Sequence, residues 1–291
     1  MYIKRNKNID VARGLLIILM VLGHTGFVGT RFIYLFHIPS FVFISGYLHK
    51  DDYSINKLYN RFKSLYYPFV KYSILFLIFI NFFVALGITE SEIVTTSNLL
   101  QKLLDVFLMK GLGSFLGAFW YLTMILQVIF IYIFLDKLIK NINILSFVII
   151  VLSLFMFWFI SKGNTLPAYI DRSILMILPY HIGRLLKKYE TLISFNFKLL
   201  FLSFTIILTV YITGFQINIG SRTLPNIFIY LISLFSGFYL VMSISNIIVQ
   251  YKFEKLFSYL GKNTIVILAL HFFSFKLLDL TLHNFTNFTV Y

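Results

Sequence analysis

Apolar residues recur in blocks of about twenty, separated by short polar or basic stretches, near residues 9–28, 31–48, 66–88, 118–136, 143–160, 168–186, 196–215, 225–249 and 258–280. Each block is long enough to cross the ~30 Å hydrocarbon core of a bilayer as a helix. The pattern predicts an all-α, polytopic transmembrane bundle with nine spanning helices. One stretch differs. Between Asn98 and Lys110, Leu99, Leu100, Leu103, Leu104, Phe107 and Leu108 interleave with Gln101, Lys102, Asp105 and Lys110. This amphipathic segment is expected on the outer interface or as a re-entrant turn, and counting it as a span would make ten helices. With no internal repeat or low-complexity linker, residues 1–291 are expected to form one integral membrane domain.

Composition agrees: 59% of the residues are hydrophobic, 12% are charged and the mean hydropathy is +0.87, against about a quarter charged in soluble domains. The chain has no cysteine, which removes disulfides, thiolate metal sites and a cysteine nucleophile. A formal charge of +14 suggests nucleic acid at first sight, but the basic residues sit in clusters between apolar blocks, where membrane topology uses them. With a cytoplasmic N-terminus and nine spans, fifteen face inward: Lys4, Arg5, Lys7; Lys50, Lys57, Arg61, Lys63; Lys137, Lys140; Arg184, Lys187, Lys188; Lys252, Lys255, Lys262. Six face outward, namely Arg31, Lys102, Lys110, Lys162, Arg222 and Lys276. A tenth span at 98–110 would reverse the later clusters. The first block is longer than a signal-peptide core and lacks a small-residue cleavage site, so it is expected to be retained. The sequons at Asn284 and Asn287 read as chance in an Asn-rich chain.

Ionisable residues within spans are costly and mark functional positions. The first span carries Asp10, Arg13 and His24. Asp10 and Arg13 share a face and are expected to pair. If the helix is continuous, Arg13 and His24 also point the same way, with roughly 16 Å of rise between them. His37 on the second span lies as far from the turn at Thr30 as His24 does, and His271 on the last span reaches a comparable depth. Three histidines at one level predict a reactive layer, against the alternative of interhelical hydrogen bonding. His181, between Pro179 and Gly183, reads as structural, and His49 and His283 as solvated helix ends. Gly111, Gly113 and Gly117 have the wrong spacing for a dinucleotide fingerprint; Gly113 and Gly117 predict a small-residue helix contact. The wide separation of the histidines argues against a metal site.

The run Asp10-x-x-Arg13-Gly14, then His24, then Phe36-His37-Ile38-Pro39-x-Phe41-x-Phe43-x-Ser45-Gly46-Tyr47 resembles acyltransferase family 3 of membrane O-acyltransferases, and is most similar to its fucose 4-O-acetylase-like branch. Arg13 and His24 reproduce the family's arginine, ten residues, histidine signature. Trp120-Tyr121-Leu122 and Gly261-Lys262-Asn263-Thr264, with His271 beyond, match more weakly. The family often shows two arginines three residues apart after the second helix. Here Arg61 is present, Ser64 holds the second place and Lys63 stands nearby. The family is commonly described with ten helices.

The resemblance implies an enzyme that moves an acetyl group from cytoplasmic acetyl-CoA to a hydroxyl of a cell-surface polysaccharide or its lipid-linked precursor, without a metal. Arg61, Lys63 and Arg13 are then expected to meet the CoA phosphates, and His24 to act as general base or to be acylated transiently. Asp10 would orient Arg13. His37 and Tyr47 would polarise the thioester or hold the acceptor, with Ser45, Trp120 and His271 in support. A transporter or flippase for a lipid-linked sugar would also use buried histidines with an Asp and Arg. No nucleic acid partner is expected.

Overall fold

A computed structural model describes residues 6–51, 54–110, 113–189 and 194–286. Lys4, Arg5, Gly111 and Asn287 lie outside them. The helices are α1 (Lys7–Leu22), α2 (Thr30–Tyr34), α3 (His37–Tyr47), α4 (Ile55–Ala85), α5 (Thr96–Phe107), α6 (Trp120–Leu138), α7 (Ile142–Ser161), α8 (Ile170–Leu175), α9 (Ile177–Leu186), α10 (Phe197–Ile212), α11 (Ile227–Gln250), α12 (Glu254–Lys262) and α13 (Thr264–Thr286). Among the described residues the one β feature is a bridge between Asn218 and Thr223.

Asparagine sets several helix starts. The side chains of Asn141, Asn196 and Asn226 accept from backbone N–H groups two or three residues on, satisfying donors that the first turn leaves open. Thr95 and Asn98 form a reciprocal capping box at α5.

Five helices among the described residues are long and apolar enough to cross a bilayer: Ile55–Ala85, Phe115–Leu138, Ile142–Ser161, Ile227–Gln250 and Thr264–Thr281. The α10 helix is apolar but shorter. Four expected spans are not continuous, the last of them block 258–280, which breaks at Asn263 between α12 and α13. Block 9–28 stops at Leu22, where Gly23 closes the helix and a turn runs to Gly26 at φ 72°. Block 31–48 divides at Leu35–Phe36 into α2 and α3, with Pro39 in the first turn of α3, where its missing N–H costs nothing. Block 168–186 divides likewise, with Pro179 in the first turn of α9. Conversely, α4 begins well before the expected residue 66; its 31 residues make about 46 Å of helix, so its polar first turns outrun a hydrocarbon core.

The described chain packs as two compact units. The first comprises residues 1–51 and 127–264, and the second residues 52–126 and 265–291. In the first, α1 packs on α11 and α12, α3 on α9 and α11, α10 on α11, and α7 on α8 and α9. Two of these contacts need glycine. A Cβ on Gly14 would lie 2.0 Å from the Phe257 carbonyl oxygen and one on Gly261 1.8 Å from that of Asp10, so α1 and α12 meet backbone to backbone. Gly46 and Gly183 do the same for α3 and α9, against Tyr180 and Phe43. The expected glycine contact lies elsewhere: among the described residues a Cβ on Gly113 would meet Ser91 Oγ at 3.6 Å, and one on Gly117 the Phe272 ring at 3.4 Å.

In the second unit α4 packs on α5, and Phe76, Phe83, Phe115 and Phe273 form an aromatic cluster in which Phe76 and Phe115 stack at 5.3 Å. The apolar residues Leu100, Leu104, Phe107 and Leu108 on or next to α5 are exposed.

Candidate active site

Arg13 and the Gly261 to Thr264 run, far apart in sequence, meet in the first unit. The close approach at Gly14 and Gly261 brings the Arg13 guanidinium to Thr264, whose Oγ1 accepts from Nη2 at 3.0 Å. Asp10 is buried one turn before Arg13. The Arg13-Gly14 dipeptide therefore combines a cationic side chain with the small residue that lets α12 approach it.

His24 is not on α1. It follows the Gly23 cap in a turn where its backbone N–H bonds Val21 O at 3.0 Å, an i to i−3 spacing, and Thr25 Oγ1 closes on Leu22 O. The rotation of 100° per residue used to align it with Arg13 stops at Leu22. The same turn brings His24 to Tyr34, whose ring lies 6.3 Å away edge-on. Tyr34 donates to Gly23 O at 2.9 Å and stacks on His37 at 5.1 Å. One tyrosine thus holds both histidines, His24 half-buried and His37 buried. Nδ1 of His37 lies 3.1 Å from Ile33 O. A carbonyl only accepts, so Nδ1 carries the hydrogen and the neutral ring keeps its lone pair on Nε2. Sequence reasoning missed Tyr34, although its place three residues before His37 is visible.

Ser45 spends its hydroxyl on Phe41 O, one turn back, at 3.0 Å, and Tyr47 is buried at the end of α3. The remaining expected residues belong to the second unit. Arg61 is half-buried and Lys63 exposed on the early turns of α4, where Ser64 bonds Arg61 O at 2.7 Å. Trp120 opens α6. His271 is buried on α13 with Nδ1 donating to Leu268 O at 3.0 Å, the tautomer also found at His37.

Two polar constellations of the first unit went unread. Asp171, fully buried at the start of α8, accepts from Nε and Nη2 of Arg222, while Arg172 lies over the Tyr169 ring at 4.9 Å. An Asp-Arg pair inside an apolar block was the same signal as at Asp10 and Arg13. The second centres on Arg184, which donates to Asp51, Asp136 and the Tyr132 hydroxyl. A directed chain continues from there. The Tyr132 hydroxyl lies 2.8 Å from His181 Nδ1 and His181 Nε2 2.8 Å from Ser146 Oγ, whose hydrogen is used on Ile142 O. Nε2 therefore donates, and in the neutral ring Nδ1 accepts from the Tyr132 hydroxyl.

His49, expected at a solvated helix end, is instead buried beside this network, with Nδ1 3.1 Å from the Tyr180 hydroxyl and its carbonyl accepting from Lys187. Burial, and then the Arg184 charge, lower its pKa from 6.5 to about 4. For Asp51, burial pushes upward, but the hydrogen bond and charge of Arg184 outweigh it and hold the carboxyl below its ordinary value. Both shifts act in one direction. The unfolded chain takes up a proton at His49 below about 6.5 that the folded one refuses, so stability present above that value is lost as the pH falls toward 4. The thermal midpoint in detergent is expected to drop across that window by at most about 1.4 kcal/mol of stability per pH unit from this residue, and His49→Gln to flatten the drop. An equally steep profile in the variant would assign the effect elsewhere.

Apolar helices of spanning length mark a membrane protein, and its first unit holds a cationic arginine and two histidines gathered on one tyrosine. The model of acyltransferase family 3, described as an acyltransferase domain, covers residues 6–291, and the chain belongs to that family. It is a membrane enzyme of acyl transfer. No curated protein and no solved structure matches it.

Proposed function

We propose that the chain transfers an acetyl group from cytoplasmic acetyl-CoA to a sugar hydroxyl of a cell-surface polysaccharide or its lipid-linked precursor, as in the fucose 4-O-acetylase-like branch of the family. The observation that carries this is the gathering of His24 and His37 on Tyr34. In the proposed step a neutral ring nitrogen of His24 takes the proton of the acceptor hydroxyl, and the hydroxyl oxygen attacks the thioester carbonyl. The carbon–sulfur bond then breaks, and the CoA thiolate leaves and recovers the proton. His37, with its lone pair on Nε2, suits accepting a hydrogen bond from the sugar better than donating one to a carbonyl. Arg13, fixed by Thr264, meets the donor from the cytoplasmic side. Arg61 and Lys63, on the polar overhang of α4, receive its phosphates.

The donor contact has its own test. Arg61→Ala is expected to raise the acetyl-CoA KM by about tenfold to a hundredfold, the effect of losing one charged hydrogen bond of about 1.5–3 kcal/mol, with a smaller change in kcat. Arg61→Lys separates a fitted contact from a membrane anchor, because a lysine anchors equally well but lacks the guanidinium fork. An unchanged KM in Arg61→Lys would leave only the anchor.

The reading also sets a topology of nine spans with the N-terminus inside, supported by the distribution of basic residues. A cysteine replacing Lys187 is expected to react with an impermeant reagent only from the cytoplasm, and one replacing Asn164 only from outside. The opposite pattern would reverse the orientation of this half of the chain.

A further inference from the structure

The second unit contains a cavity of about 660 Å³ that none of the proposed steps uses, within the roughly 300–1,000 Å³ typical of small-ligand sites. One wall is the non-helical segment between α4 and α5, which presents Thr89, Glu90, Ser91 and Glu92. The lining is completed by Lys102 and Asp105 of α5, Lys276 of α13, and an apolar side of Phe76, Leu77, Ile80 and Phe115.

The wall is fixed at several points. The Asn81 side chain both donates to and accepts from the backbone of Val94 at 2.7 Å, Asn98 donates to Ile93 O at 2.9 Å, and Lys102 pairs with Glu92 at 2.8 Å. Thr89 and Ser91 share a hydrogen bond of 2.8 Å between their hydroxyls. A segment without regular structure, held this way, is a preorganised surface, so little ordering entropy remains to be lost when a ligand binds.

We propose that this cavity is a carbohydrate-binding site that holds the sugar acceptor. Three carboxylates and two lysines line it, and Asp105 also pairs with Lys110 at 3.2 Å, so the cavity is close to neutral and has no surplus of cations to receive the phosphates of an acyl-CoA. A polyol is the complementary ligand. Carboxylates accept from sugar hydroxyls, ammonium and hydroxyl groups donate to them, and Leu77 and Ile80 on the apolar side meet the C–H face of a pyranose. The exposed leucines of α5 suit contact with lipid, compatible with a polymeric or a lipid-linked sugar. The proposal rests on the transferase reading for the word acceptor, but not for the binding of sugar.

The full-length protein in lipid nanodiscs is titrated with cellotetraose, chitotetraose and maltotetraose, each free and linked to polyprenyl phosphate. At least one is expected to bind. Glu90→Ala and the cavity-filling Leu77→Trp are each expected to weaken it by about tenfold or more, the effect of a lost charge-assisted hydrogen bond or of a blocked site, while the Kd for acetyl-CoA stays unchanged. Preference for the free or the linked form identifies the source of the sugar. Failure of all probes to bind, or binding that neither variant weakens, overturns the proposal. Sugar binding that depends on the cavity, without any acetyl transfer, would keep the site and sink the transferase reading. Transfer with an unchanged acceptor KM in both variants would do the reverse.

Discussion

His24→Ala is expected to lower acetyl transfer by about two to four orders of magnitude, the contribution typical of a positioned general base, while insertion and folding stay normal. The ring sits in a half-buried turn and its backbone contacts are made by N–H and carbonyl groups that alanine retains. His24→Asn, which restores polarity without a titratable nitrogen, is expected to be as inactive. Tyr34→Phe gives the intermediate case, since it removes only the 2.9 Å bond to Gly23 O and keeps the ring that supports both histidines. Loss of about 0.5–1.5 kcal/mol of positioning would reduce kcat by roughly tenfold or less. Activity near wild type in either His24 variant would remove this residue from the chemistry, and the gathering of histidines around Tyr34 would become a packing feature.

The second large effect concerns folding. Gly261→Val and Gly14→Val are each expected to abolish the properly folded protein, read as loss of a monodisperse peak in detergent. A new Cβ would stand 1.8 Å from Asp10 O in one case and 2.0 Å from Phe257 O in the other, and backbone, unlike a flexible side chain, cannot swing away. Overpacking commonly costs about 1–3 kcal/mol even where side chains can yield, so two rigid helices in conflict should exceed that range. The same clash would separate Arg13 from Thr264. Gly163→Ala is the control with the opposite geometry, because its Cβ would meet open space and only the positive φ of 79° is disfavoured. Normal folding of Gly261→Val would mean that α1 and α12 do not meet as described.

The helices were legible where a single property decided them. Blocks such as 143–160 and 225–249 emerge as α7 and α11 within a few residues, because uninterrupted apolarity requires every backbone group to be bonded within the helix. Interruptions were not legible from hydropathy. Gly23, Phe36 and Met176 interrupt apolar runs without adding a charge, so the blocks containing His24, His37 and His181 read as continuous while the backbone turns. The site divides in the same way. Arg13, His24 and His37 were readable because a cation or an imidazole among apolar neighbours stands out. Tyr34 was not, since tyrosine is common in such chains and its role depends on a turn. Asp171 and Arg184 carried as strong a signal as Asp10, but their partners Arg222, Asp51 and Asp136 sit 51, 133 and 48 residues away, and only the folded chain brings them together.

The most direct test of the account uses the purified chain in proteoliposomes loaded with a surface polysaccharide preparation, with acetyl-CoA carrying a labelled acetyl group supplied from outside. The vesicles are sorted so that the cytoplasmic face is outward. Label is expected to appear in the polysaccharide as an alkali-labile ester, with one CoA thiol released for each acetyl transferred, and neither signal is expected with His24→Ala. Release of CoA without labelled polysaccharide, or movement of sugar across the membrane without any ester formed, would contradict acetyl transfer to a sugar as the function of this protein.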